Sequence, residues 1–255
     1  MNLYTPFDYL CNESFYINGI GNIKSPTLRD IRKISYSIFS YFLNLMSCTP
    51  QECAKLLDLE DQYNALDEKG KEANTVYNIL LYNNMKLLFS IVSFFIEDAF
   101  EFDETSLSFV TYKMVEDKKQ TIGRIDNNNF EQFRTEIQCI LGLKNQEEQK
   151  EQKFKNKTAR KLFEKLQKHV KEQKKKADEN YTLDNMIKKY CTHNKVGINI
   201  LNVWDMTYYQ FSTMFYEYCN GRQCDFNDMM AANTFSYKNS TDYKPLDYIK
   251  KLNNN

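Results

Sequence analysis

The sequence predicts a mainly helical chain with a small β-hairpin component, an α+β protein, and three observations carry this. With 7 Gly and 4 Pro in 255 residues there is little material for tight turns, glycine-rich phosphate loops or an all-β sandwich. Apolar residues recur at helical spacing over most of the length. Two short runs, around Asn18-Gly19 and around residues 109–115, instead carry strand and turn chemistry. At 42% hydrophobic and 15% aromatic residues, the chain has side-chain area for one sizeable core or two small ones, which excludes a largely disordered protein.

Taken in order, Ser14-Phe15-Tyr16-Ile17 and Ile20-Gly21-Asn22-Ile23-Lys24 flank Asn18-Gly19, the strongest short hairpin signal. Ser25-Pro26-Thr27 then starts a helix, with Ser25 as the cap and Pro26 at the first helical position, and Leu28, Ile31, Ile34, Ile38, Phe42 and Leu45 lie on one core face. Thr49-Pro50-Gln51-Glu52 reads as a capping box opening a second helix through Leu56, Leu57 and Leu59. Residues 76–96 are apolar nearly all round and predict one helix buried on several sides, the centre of the first domain. The carboxylates Glu97, Asp98, Glu101, Asp103 and Glu104 follow it, where a solvated loop is expected. Residues 109–115 alternate like a half-buried strand, with residues 121–125 as its partner across a turn at 116–120. Asp126-Asn127-Asn128-Asn129 caps a helix carrying Phe130, Phe133, Ile137, Ile140 and Leu141, closing a helical domain over residues 1–143.

Residues 144–176 change character. They hold 13 Lys+Arg against 5 Glu, a local net of +8, with a sparse apolar stripe, and predict a basic helical linker whose surface is formed by Lys157, Arg160, Lys161, Lys165 and Lys168. Residues 177–255 then form a small, aromatic-rich helical module. Its first face is Leu183, Met186, Ile187 and Tyr190, and its next helix carries Trp204, Tyr208, Phe211, Phe215 and Tyr218 at steps of 4, 3, 4 and 3 up to a stop at Asn220-Gly221. Asp225 is placed to cap one more turn or two. The last segment, residues 243–252, is short and polar-ended.

Composition narrows function mainly by exclusion. With 34 Lys+Arg against 34 Asp+Glu there is no global attraction to nucleic acid or an anionic membrane, and the basic segment has too few aromatics and Arg for a nucleic-acid reader. The longest apolar stretch, residues 85–96, is too short for a bilayer span, and the start lacks a secretory signal pattern. Seven scattered Cys read as reduced thiols, mostly in apolar helical faces. Cys191, His193, Cys219 and Cys224 are the most metal-like set, but Cys219 and Cys224 stand five apart without ligand spacing, so neither metal nor cofactor is expected. No nucleophile, base or phosphate-loop pattern appears, and no enzymatic activity is expected. The aromatic residues Trp204, Tyr208, Tyr209, Phe211, Phe215 and Tyr216 surround the last long helix more fully than one core face requires, which marks them as a partner-binding surface. Tyr209 and Tyr216 are expected on its outward side. Self-association into a homo-oligomer is compatible with the same surface.

The start of the chain, Tyr16-Ile17 through Ile23-Lys24-Ser25-Pro26-Thr27-Leu28-Arg29-Asp30-Ile31 and the aromatic helix with Tyr36, Phe39, Tyr41 and Phe42, resembles tail assembly chaperone-like proteins of bacteriophages of low-GC Gram-positive hosts. Val203-Trp204-Asp205-Met206-Thr207-Tyr208-Tyr209-Gln210-Phe211 resembles the element with which several of these proteins enter their last helical module. A bias of 28 Lys to 6 Arg and 27 Asn to 8 Ala suits an AT-rich genome of that kind. The resemblance implies a non-enzymatic protein of the host cytoplasm that binds the tape measure protein, keeps its apolar helices from aggregating and assists tail tube assembly. A virion structural protein of the tail or baseplate, and a phage-encoded inhibitor of a host or defence protein, are the alternative readings.

Overall fold

The computed structural model describes residues 4–143 and 182–232. The basic segment with Lys157, Arg160, Lys161, Lys165 and Lys168, and the terminal segment 243–252, lie outside the described residues. The architecture is α+β: helices with one two-stranded and one three-stranded antiparallel sheet. The chain divides into two compact units, residues 1–145 together with 205–209, and residues 146–204 together with 210–255.

The first unit opens with β1 (Phe15–Ile17) and β2 (Gly21–Ile23), paired antiparallel around the predicted turn, where Gly19 has φ +80°. The period-2 pattern puts Phe15, Ile17 and Ile23 in the core and leaves Tyr16 exposed. The cap of α1 (Leu28–Ile34) is Thr27, two residues after the expected Ser25, because Thr27 forms a capping box with Asp30 and leaves Pro26 before the helix. The single helix expected from residue 28 to 45 is two helices. Ser35, with φ +74°, ends α1 and caps α2 (Tyr36–Ser47) through a hydrogen bond from the Ile38 amide. The turn shifts the helical face, so Phe39, Phe42, Leu45 and Met46 are buried while Ile38, expected in the core, is 47% exposed.

The predicted Thr49 and Glu52 capping box opens α3 (Pro50–Leu56). The residues one before the cap and four after the cap are Cys48 and Cys53, both buried, and they occupy the positions of a hydrophobic staple, with the Cys48 thiol donating to Leu45 O at 3.4 Å. The neighbouring Cys53 thiol holds the Cys48 thiol below its ordinary pKa, and Cys48 together with burial pushes the Cys53 thiol up. Two short helices follow, α4 (Glu60–Asn64) and α5 (Glu68–Ala73).

The long buried helix expected over residues 76–96 is likewise broken, into α6 (Val76–Asn83) and α7 (Met85–Phe95). Asn84 leaves the helical region at φ −152° and its side chain caps α7 by accepting from the Leu87 amide, as Asn does when it competes with the helix for backbone partners. Val76, Tyr77, Ile79, Leu80, Leu88, Ile91, Val92 and Phe95 are core, but Tyr82 and Phe89 are exposed, so burial is one-sided rather than all round.

The acidic stretch expected to be a loop forms the first strand of the larger sheet, in the order β3 (Ala99–Asp103), β4 (Ser108–Val115), β5 (Lys118–Ile125). Its carboxylates hold structure. Asp98 accepts from the Asn22 amide and side chain, Glu101 pairs with Lys119, and Asp103 accepts from the Thr105 amide and the Ser106 hydroxyl. The β4–β5 turn is tighter than expected: only Glu116 and Asp117, both at positive φ, separate the strands, the two-residue geometry that matches strand twist.

Gly123 lets β5 approach the first hairpin closely, because a Cβ there would stand 2.6 Å from the Gly19 carbonyl carbon. The Arg124 amide donates to Gly19 O at 2.9 Å, and the Thr111 hydroxyl to Ile20 O at 2.6 Å. After the Asn129 cap position, α8 (Phe130–Ile140) buries Phe130, Phe133, Ile137 and Ile140, with the Arg134 guanidinium donating to the Cys48 carbonyl.

Residues 205–209, which the sequence reading assigned to the C-terminal module, complete this unit. Thr207 bridges Thr27, the Leu28 amide donates to Met206 O and the Tyr208 amide to Pro26 O, each at 2.9 Å, and Arg29 pairs with Asp205 at 2.7 Å.

The second unit is built from α9 (Leu183–His193) and from α10 (Tyr208–Ala232) beyond its first two residues, which belong to the first unit. Tyr190 stands edge-on to Phe211 and Tyr218, with ring centroids 5.9 and 5.7 Å away, and Phe211 stacks on Phe215. The stop expected at Asn220-Gly221 does not occur. α10 runs through Gly221 to Ala232, and Asp225, expected to cap a further helix, sits mid-helix 3.6 Å from Lys195.

Candidate protein-binding helix

The six aromatic residues singled out in the sequence do not share one surface. Tyr208 and Tyr209 close the first unit: the Tyr208 ring stands edge-on to Phe39 at 5.2 Å, and Tyr209, 7% exposed, packs on Tyr9 at 5.7 Å and against Gly142. Tyr209 is therefore core, not the outward-facing residue expected from its position opposite Phe211. The reason is local. The extended segment at Thr207 pairs with Thr27 and brings the first turn of α10 onto the Tyr9 and Phe39 rings. Phe211 and Phe215 are core of the second unit. Trp204 lies in the 3-10 turn Val203–Asp205, half-buried, its indole N–H donating to Ile200 O at 2.8 Å. Tyr216 alone of the six is exposed, at 51%.

What the aromatic pattern missed lies further along α10. Phe226, Met229 and Met230 are 60%, 64% and 38% exposed, on a stretch that the expected stop at Gly221 had placed outside the helix. Their spacing of 3 and 4 was a usable signal, hidden by reading Asn-Gly as a stop. Beside them, α9 and the middle of α10 form a groove of about 380 Å³. Met186, Phe215, Tyr218 and Cys219 give it an apolar floor, and Lys189 and Arg222 stand at its rim.

His193 Nδ1 meets the Thr192 hydroxyl at 2.7 Å, Cys224 is buried, and Cys191 and Cys219 have thiols raised by burial. Among the described residues no group of three or more His, Cys, Asp or Glu is placed to hold a metal ion. No helix among them is long and apolar enough to cross a membrane.

A helix displaying large apolar side chains, one aromatic with a water-tolerant hydroxyl among them, is the geometry of protein recognition. Residues 172–253 match the family model described as YomV second domain, a Bacillus phage-type family. The match spans both helices of the second unit and supports a phage protein. Neither the curated proteins nor the solved structures give a match to this chain.

Proposed function

We propose that this is a non-enzymatic phage protein that acts in the host cytoplasm by holding another protein of the same phage, as a tail assembly chaperone does with the tape measure protein. The observation that carries the protein-binding role is the set of exposed apolar side chains along α10, from Tyr216 to Met230. The YomV-type match supports the phage context, and the tail module resemblance at residues 14–45 and 198–218 supplies the tape measure as partner. A segment of long, apolar helix would find ring area and hydroxyl together at Tyr216, as interfaces use tyrosine.

The test is co-expression with tape measure fragments and measurement of co-purification. The expected result is stoichiometric capture, weakened at least about tenfold by Tyr216→Ser, which removes an interface ring without touching the core. Capture unchanged in that variant, or no capture of any tape measure fragment, overturns the reading.

A further inference from the structure

Cys48 and Cys53 stand at the corner where α2 ends and α3 begins. The Thr49 amide donates to the Glu52 carboxylate at 2.8 Å and the Glu52 amide to the Thr49 hydroxyl at 3.3 Å, and a corner fixed in this way brings the residue before the cap onto the residue four after it. Two thiols occupy the places that two hydrocarbon side chains ordinarily fill. Cys53 is 0% exposed and Cys48 8%, so one sulfur is sealed in and the other lies just below the surface. Each thiol is the strongest influence on the other's ionisation, as it is when two sulfurs lie side by side.

A buried cation completes the cluster. Arg134 of α8, 5% exposed, donates to the Cys48 carbonyl and pairs with Glu131 at 2.5 Å, while its buried Nε–H has no hydrogen-bond partner among the described residues. A hydrocarbon staple gains nothing from a guanidinium. A thiolate does, and the positive charge of Arg134 favours the ionised form of both cysteines, against burial at each and against Glu52 at Cys48. Cys191 and Cys219 show the contrast, since burial raises both of their thiols.

We propose that Cys48 and Cys53 are an oxidation site, a dithiol that a peroxide converts into a reversible disulfide. The Cys48 thiolate attacks one oxygen of hydrogen peroxide. An S–O bond forms as the O–O bond breaks, and the second oxygen leaves as hydroxide, which takes up the proton that Cys48 released. Cys53 then attacks the sulfur of the Cys48 sulfenic acid: the S–S bond forms, the S–O bond breaks, and the hydroxyl leaves with the Cys53 proton as water. Two thiols and one peroxide give one disulfide and two waters, the pair oxidised and the peroxide reduced. The difference in exposure sets the order, with Cys48 attacking and Cys53 resolving. The site belongs to the first unit and stands without the protein-binding reading of α10.

Trypsin releases both cysteines in one peptide, residues 34–55, because no Lys or Arg lies between Lys33 and Lys55. The reduced full chain is treated near neutral pH with up to about one equivalent of hydrogen peroxide, quenched by alkylation in denaturant and mapped by mass spectrometry. That peptide should appear unalkylated and lighter by two hydrogens, at least about tenfold faster than exposed Cys11 is lost, and dithiothreitol should restore both thiols. Cys53→Ala should halt the reaction at a sulfenic acid on Cys48 that dimedone traps, and Cys48→Ala should leave Cys53 reduced. Circular dichroism checks that both variants fold, and the parent chain decides the question by itself if either does not.

Both cysteines still open to alkylation once Cys11 is consumed, a disulfide from either one to a different cysteine, or a sulfenic acid on Cys53 in the folded Cys48→Ala chain overturns the proposal.

Discussion

Tyr77 takes a phenol into the core of the first unit, 1% exposed, and its hydroxyl donates to Leu107 O at 2.7 Å. Burial pushes its pKa up, with Asp126 adding to the effect, so it stays a neutral donor. Tyr77→Phe leaves that carbonyl without its partner and should lower unfolding free energy by about 1 kcal/mol, read from urea denaturation. The cap carboxylates give the pH dependence. Burial pushes Asp30 up, but Lys33 and the Thr27 hydroxyl and amide outweigh it, while the Thr49 amide and hydroxyl hold Glu52 down. Both folded values lie below the ordinary 3.8 and 4.5, so their contribution is complete above those values and is lost as pH falls through the depressed ones. The urea midpoint should therefore fall between about pH 5 and about pH 3, and Glu52→Gln with Asp30→Asn should flatten that fall.

Between elements, two positions decide how the chain turns. Ser35 sits at φ +74°, a conformation that favours glycine, and its cap hydrogen bond is long at 3.5 Å. Ser35→Gly should raise stability by about 1 kcal/mol, since relieved backbone strain exceeds the few tenths lost with the cap. Ser35→Ala should lower it. At Gly123 an added methyl would meet the Gly19 carbonyl carbon at 2.6 Å, backbone against backbone, which no rotamer change relieves. Gly123→Ala should cost roughly 1 to 3 kcal/mol and expose the first hairpin to hydrogen exchange before the sheet. The second helix start was legible because Thr49-x-x-Glu52 states its cap within four residues, whereas at the first the cap is Thr27 with Asp30 and not the expected Ser25. The breaks at Ser35 and Asn84 were not, because the apolar residues on either side continue the same helical count.

For the molecule as a whole, residues 205–209 belong with the first unit although about 60 residues of chain lie between them and its end at 145. Their contacts bury Tyr209 against Tyr9 and Tyr208 against Phe39. Tyr209→Ser should thus cost about 3 kcal/mol, as a large core aromatic does on truncation, whereas Tyr216→Ser should stay within about 0.5 kcal/mol of the parent in the same unfolding measurement. Equal effects of the two substitutions would contradict this division of the aromatic cluster. The same contrast separates stability from partner capture, since only Tyr216 is open to another chain.

The sequence by itself determined what depends on neighbours a few residues apart: the α+β class, the Asn-Gly hairpin, the Thr49 and Glu52 capping box, and the helix after Asn129. Local hydrogen bonds and period-2 or period-3.6 burial act over that range, so they can be read without a fold. The tertiary structure alone decided which face each aromatic finally meets. Glu97 to Glu104 looked like a solvated loop because alternating Phe100 and Phe102 were outweighed by charge, and it became a strand only because β4 offered it a partner. Tyr209 and Tyr216, both aromatic and on one helix, parted company because a strand-like pairing at Thr27 and Thr207 draws the helix start into a core that lies some 200 residues earlier in the chain. Burial is set by whatever surface arrives from elsewhere in the chain, and no local pattern encodes that arrival.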